Sequence, residues 1–254
     1  MRGFIEALED RRLASVSTTS GYIDLTAPGT SVAGRVERVS LKAIKATPGG
    51  GRITSDESPV SLTVASGPGL QSGQVLASGT FRRGLAILPI TFTFAGSYTL
   101  LASSPGIQSV QSVFTVDAAR PVAMQASNVD LSQNLGQAPG VASFTVSLLD
   151  RFGNSVTSDD RSIIWMTAVT PANAQLGLLS AEPPFNVAFV PVVQRKYHGH
   201  VIYGVRLQSD RFGQAQFFVL SRSGFTGSVT LTLTETRPHI KPLSLTFDLP
   251  QPPP

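Results

Sequence analysis

Three histidines, sixteen carboxylates and no cysteine make up the reactive inventory of this 254-residue chain. The lack of cysteine removes disulfides, thiolate metal sites and cysteine nucleophiles. His198 and His200 stand two apart. In a strand that spacing projects both side chains from one face, where they could share a metal. His239 is distant in sequence, and Glu182 and Asp210 bear no ligand spacing to the pair. The pair therefore reads as two solvated imidazoles on a polar loop, with no resident metal. Asp56, Glu57, Asp159 and Asp160 gather at strand entrances, where clustered oxygens can hold calcium. They lack the alternating acidic pattern of an EF-type loop and read as solvated turn residues. No G-x-S-x-G elbow, G-x-G-x-x-G turn or phosphate loop occurs. Neither catalysis nor a cofactor is expected.

Two features could bind without reacting. Trp165 is the single tryptophan, in a run where Ile163, Trp165 and Thr167 alternate with Ile164 and Met166. A core tryptophan is the ordinary outcome; an exposed, sugar-stacking one is the alternative. Arg195, Lys196, Tyr197, His198 and His200, with Tyr203 close by, are the local cluster of cationic and aromatic groups. They are the candidate partner-binding residues, suited to an acidic polymer, against the plainer reading of a solvated hairpin tip.

The elements that must position these residues are strands. Hydrophobic residues make up 41% of the chain and charged residues 14%, with 23 glycines and 18 prolines. Such a composition suits half-buried strands joined by tight turns and does not suit a helical bundle. The net charge is +4, spread along the chain. Nucleic-acid binding needs a concentrated basic face, so no nucleic-acid partner is expected. No apolar run approaches the ~20 residues of a membrane helix, so no membrane insertion is expected.

Strand alternation and turn signals place strands at 22–26, 36–46, 60–65, 74–80, 85–92, 96–103 and 110–116. Glycine- and proline-rich turns separate them, among them 48–51, 66–69 and 104–106. A linker at 117–121 precedes a second unit. Its strands include 144–149 and 243–248, and its turn Asp150-Arg151-Phe152-Gly153-Asn154 needs a positive φ at Gly153 or Asn154. Parts of the chain echo one another. Ile53-Thr54-Ser55-Asp56 is echoed by Val156-Thr157-Ser158-Asp159, and Ala95-Gly96-Ser97-Tyr98-Thr99-Leu100 by Thr226-Gly227-Ser228-Val229-Thr230-Leu231. The offset grows from 103 residues (53 to 156) to 131 (95 to 226), so about 28 extra residues enter the second unit. Their expected place is 176–208, as a projecting loop or hairpin that could carry function. Tyr98 is a candidate for a tyrosine-corner bond.

Seven short strands at this spacing, as in the first unit, are what an immunoglobulin-like sandwich shows in sequence. The expected fold is all-β: two tandem immunoglobulin-like sandwiches, residues 21–118 and 119–250, followed by a proline-rich tail at 251–254. The stretch 59–116 resembles bacterial immunoglobulin-like repeats of adhesins and large surface proteins. The residues that carry it are Ser61-Leu62-Thr63-Val64 with Gly67, Gly84-Leu85-Ala86, and Ala95-Gly96-Ser97-Tyr98-Thr99-Leu100. Asp150, Phe152, Gly153, Asn154, Val156, Thr157 and Asp159 repeat a second phrase of the same family. Residues 1–20 are set apart, with a short charged helix expected over 2–14 or a disordered tail. Leu8, Glu9, Arg11, Arg12 and Leu13 are similar to the LEPR-XLL-type motif heading large bacterial surface proteins, with Ala14 where a second Leu is usual. The resemblances imply an exported, non-enzymatic surface protein, a spacer or adhesion unit, at the cell surface or outside it. They imply other surface proteins or copies of itself as partners. A polysaccharide bound through the second unit's inserted loop is the alternative.

Overall fold

The computed structural model describes residues 21–47, 49–130, 141–157, 163–170, 176–180, 193–197, 200–206, 214–221, 227–237 and 239–249. Among them every regular element is a strand and none is a helix. The helix expected over 2–14, together with Leu8, Glu9, Arg11, Arg12 and Leu13, lies outside the described residues, as does the 251–254 tail.

Seventeen strands occur among the described residues. They are β1 (Gly21–Thr26), β2 (Thr30–Val32), β3 (Val36–Lys45), β4 (Pro59–Ser66), β5 (Val75–Thr80), β6 (Leu85–Thr91), β7 (Gly96–Ser104), β8 (Ile107–Asp117) and β9 (Pro121–Asp130). The rest are β10 (Val141–Asp150), β11 (Ile163–Thr170), β12 (Leu176–Ser180), β13 (Val193–Tyr197), β14 (His200–Arg206), β15 (Gln214–Ser221), β16 (Gly227–Glu235) and β17 (Leu243–Leu249). All seven strands expected in the first half are present. β2 is additional; at three residues it is too short to show an alternation.

The chain forms two compact units. The first comprises the described residues up to Gly29 with Val36–Ile90 and Ser97–Phe114; the second comprises Thr30–Arg35, Thr91–Gly96 and the residues from Thr115 on. The first set of strands is ordered β5-β4-β7-β8-β1-β3-β6, with β2 beside β8. Its period-two alternation works as the sequence predicts. Val39, Leu41 and Ala43 of β3, Val60, Leu62 and Val64 of β4, and Tyr98, Leu100 and Ala102 of β7 are buried, while their neighbours are not.

In the second unit a four-stranded sheet, β12-β15-β10-β9, and a five-stranded sheet, β13-β14-β11-β16-β17, share one core. Phe144, Val146, Leu148 and Phe217 come from the first sheet, and Ile164, Met166, Val229, Leu231, Leu233 and Phe247 from the second. Two sheets facing each other across one apolar layer make a β-sandwich. Phe144 and Phe217 stack at 5.3 Å between centroids.

The strand orders of the two halves correspond. β5-β4-β7-β8 matches β14-β11-β16-β17, and β1-β3-β6 matches β9-β10-β15. The sequence echo at Gly96 and Gly227 is a structural one. Both glycines have positive φ, 141° and 129°. The strands they open bury alternate residues in the same phase, Tyr98 and Leu100 against Val229 and Leu231.

The extra residues of the second half do not simply project. From β4 to β11 the start-to-start offset is 104 residues, and from β5 to β14 it is 125. Most of the insertion therefore falls between β11 and β14, and it supplies β12 and β13. β12 pairs with β15 and β13 with β14, so each widens a sheet by one strand. β14, inside the window where a projection was expected, is a strand of the repeat paired to β11. An added segment finds unpaired N–H and C=O groups at a sheet edge, and pairing there satisfies both partners.

Candidate functional site

The chemistry-bearing residues fall in separate places. Lys196 is exposed on β13. The backbone register sets Arg195 opposite Ile202, Tyr197 opposite His200, and Tyr203 opposite Gln194 and Met166. Thus Arg195, Lys196, Tyr197 and His200 meet in one hairpin, with Tyr203 three residues into β14. His198 lies outside the described residues, as do Asp159 and Asp160. His239 is exposed. Among the described residues no group of three or more His, Asp or Glu side chains is placed to hold a metal.

Asp56 has a local partner. Its Oδ1 accepts from the Ser58 N–H at 2.8 Å, a turn-closing bond at the entrance of β4. The exposed, sugar-stacking alternative for Trp165 is overturned: the residue is 4% exposed. Ile164 and Met166, on the other face of β11, belong to the core. Both faces of the strand are covered at this point.

The two carboxylates that are buried among the described residues serve the backbone. Asp150 is 3% exposed at the end of β10. Its Oδ1 accepts from the N–H groups of Phe152 and Asn154 at 2.8 and 2.9 Å. Its Oδ2 accepts from the Ala119 N–H and the Asn154 side-chain amide, both at 2.8 Å. Burial alone would raise its pKa. The bonds from the Asn154 side chain and from the backbone of Ala119, Asn154 and Phe152 outweigh burial and hold the carboxyl below its ordinary range. Gly153 takes the turn's positive φ, 84°. Asn154 reaches further within the second unit: its amide also donates to the Thr93 carbonyl at 2.7 Å, and its Oδ1 accepts from the Ala95 N–H at 2.9 Å. The sequence marks 150–154 as a turn. It gives no sign of the 91–96 segment as its partner, because the two are some sixty residues apart. Glu235, the other buried carboxylate, accepts from the Arg237 N–H at 2.6 Å and from the Arg237 guanidinium at 3.2 Å.

Tyr98 makes a backbone bond, but to a residue thirty positions upstream rather than the local one of a tyrosine corner. It is 1% exposed, and its hydroxyl donates to the Pro68 carbonyl at 3.1 Å. The ring lies so close over Gly67 that a Cβ there would collide with its Cδ1. Burial pushes the phenol pKa up.

One concave surface in the first unit has a distinct lining, and sequence reading did not single it out. A cleft of about 670 Å³ runs over one end of β5, β4 and β7. Its polar groups are the hydroxyls of Ser61, Ser78, Thr80, Ser103 and Ser104, between Pro59 and Pro105. Ser78, Ser61 and Ser103 are in register across the three strands. The Ser61 and Ser103 hydroxyls are hydrogen-bonded at 2.9 Å, and Ser104 donates to the Pro59 carbonyl at 2.8 Å. The cleft carries neither an ionisable side chain nor an aromatic platform. Hydroxyls alone can hydrogen-bond a ligand but supply no general acid or base of suitable pKa.

No protein-family model and no curated protein sequence matches the chain. Solved structures with partial likeness include the Escherichia coli adhesin FdeC, at 17% identity and a TM-score of 0.40 over 89% of this chain and 64% of that one. Invasin, a bacterial integrin-binding protein, gives 15% identity and 0.41 over 84% of this chain and 38% of invasin. A β-glycosidase from Bacteroides vulgatus gives 12% and 0.34 over 91% of this chain and 25% of the enzyme. The chain thus spans from a quarter to just under two thirds of the length of these structures. Adhesins and a glycosidase appear side by side at this level, so neither role passes to the chain through them.

Proposed function

We propose that the chain is a non-enzymatic structural or adhesion protein of a bacterial surface. Two tandem immunoglobulin-like sandwiches act in it as spacers or assembly units. The observation that carries the reading is the repeated strand order, in which the conspicuous polar residues are spent on holding the backbone. Asp150 and Asn154 order the turn after β10, Tyr98 ties β7 to the Pro68 carbonyl, and Glu235 anchors Arg237. A fold whose described buried ionisable groups each bond the backbone is built to persist rather than to react. The N-terminal resemblance adds export, through Leu8, Glu9, Arg11, Arg12 and Leu13.

Fractionation of cells producing the chain with and without residues 1–20 tests this. The full chain is expected outside the cytoplasm and the truncated one inside. Equal cytoplasmic retention of both refutes the export role.

A further inference from the structure

An open sheet edge presents unpaired N–H and C=O groups that can template another strand, and proteins protect such edges with charge, proline or bulges. The edges here differ in protection. β6 carries Pro89, β13 carries Arg195 and Lys196, and β17 carries Asp248. β9 has two register shifts, and its Asn128 has a φ of 52°. β5, with the sequence VLASGT, has no charge and no proline, and the same holds for the five-residue β12. The Phe81 N–H donates inward to the Ser58 carbonyl. Alternation then turns the backbone groups of Ser78 and Thr80 toward the open side of β5.

Two observations set β5 apart from β12. The hydroxyl-lined cleft lies beside it, with Ser78 and Thr80 in its wall. Its counterpart in the second unit, β14, is covered, since β13 pairs with it from Val193 to Tyr197. Among the described residues, a strand position filled within the chain in one unit is open in the other.

We propose that β5 is an assembly edge whose occupant is β5 of a second copy of this chain, paired antiparallel about a two-fold axis. Such an interface uses one surface twice and must be self-complementary. An uncharged strand meets that condition, because no like charges are brought together. The Ser103–Ser61–Ser78 row runs to the edge, and a second copy continues it as a hydroxyl-bearing face. Antiparallel main-chain bonds supply the attachment, and the side chains over the cleft supply its register. The charged strand β13 of another copy fits less well, because no carboxylate lies on β5 or lines the cleft to meet Arg195 and Lys196.

The inference rests on the assembly side of the proposed function. It is tested apart from location by sedimentation of the purified full chain over a concentration series, with Ser78→Lys and Ser78→Pro. Lysine places a charge at the edge. Proline removes an N–H that the β4 ladder does not use. The expected result is a reversible dimer of the unaltered chain and at least about tenfold weaker association in both variants, with circular dichroism unchanged. If Ser78→Pro unfolds, Ser78→Lys decides. An unaltered chain that sediments as a monomer throughout overturns the proposal and leaves the edge to a foreign strand. A dimer that Ser78→Lys leaves intact overturns it too. Neither outcome touches the export reading, which fractionation decides.

Discussion

Asp150 shows how much of this chain's polar chemistry is architectural. Its carboxylate serves four donors from Ala119, Phe152 and Asn154 in a nearly closed environment. Asp150→Ala leaves several N–H groups without an acceptor, and the expected loss is about 1–3 kcal/mol in urea unfolding. Asp150→Asn, which keeps one carbonyl acceptor, is expected to lose less. The pH dependence follows from the lowered pKa. The unfolded carboxyl titrates near its ordinary value and the folded one below it. The stabilisation is therefore complete above about pH 4 and is lost as pH falls through the folded pKa. Asp150→Asn should remove that part of the acid slope. Tyr98 behaves in the opposite sense. Its raised pKa keeps its contribution intact below the free-phenol value of about 10, and the contribution is lost as pH rises through the folded pKa. Tyr98→Phe is expected to cost about 1 kcal/mol near neutrality and to abolish this alkaline loss. Gly67→Ala should be worse than Tyr98→Phe, since the new Cβ and the Tyr98 ring cannot share the space.

Among the elements, legibility tracked alternation. β3, β4, β6 and β7 bury every second residue without interruption, and their limits were readable to within a residue or two. β9 did not stand out. Asn128 at positive φ and the register shifts against β10 break its period, and its exposed residues, Gln125, Asn128 and Val129, follow no alternation. The echoes at 53 and 95 mark a repeated strand order but do not locate where the second set is longer. β14 does not resemble β5 in sequence, so a repeat strand was counted as insertion. The site was less legible than the fold. The hydroxyl cleft is assembled from β4, β5 and β7, and serines on three strands carry no motif. If the two strand sets are equivalent, matched substitutions should behave alike. Leu100 and Leu231 occupy the same place after Gly96 and Gly227, and both are fully buried. Leu100→Ala and Leu231→Ala should each cost about 2–5 kcal/mol by chemical denaturation. A marked inequality would mean that the echo is one of sequence rather than of packing.

For the molecule as a whole, the strands predict far-ultraviolet circular dichroism with less than about a fifth helix, against the third found in ordinary domains. More helix than that would contradict the all-β reading. The proposed role is that of a surface unit outside the cell, and the chain offers a direct probe of it. It has no cysteine, and Lys196 is exposed on β13, so Lys196→Cys introduces a single reactive thiol at a solvent-facing position. Intact producing cells are treated with a membrane-impermeant maleimide and compared with lysed ones. Labelling of intact cells to the same extent as the lysate is the predicted result; labelling that appears only after lysis would contradict it.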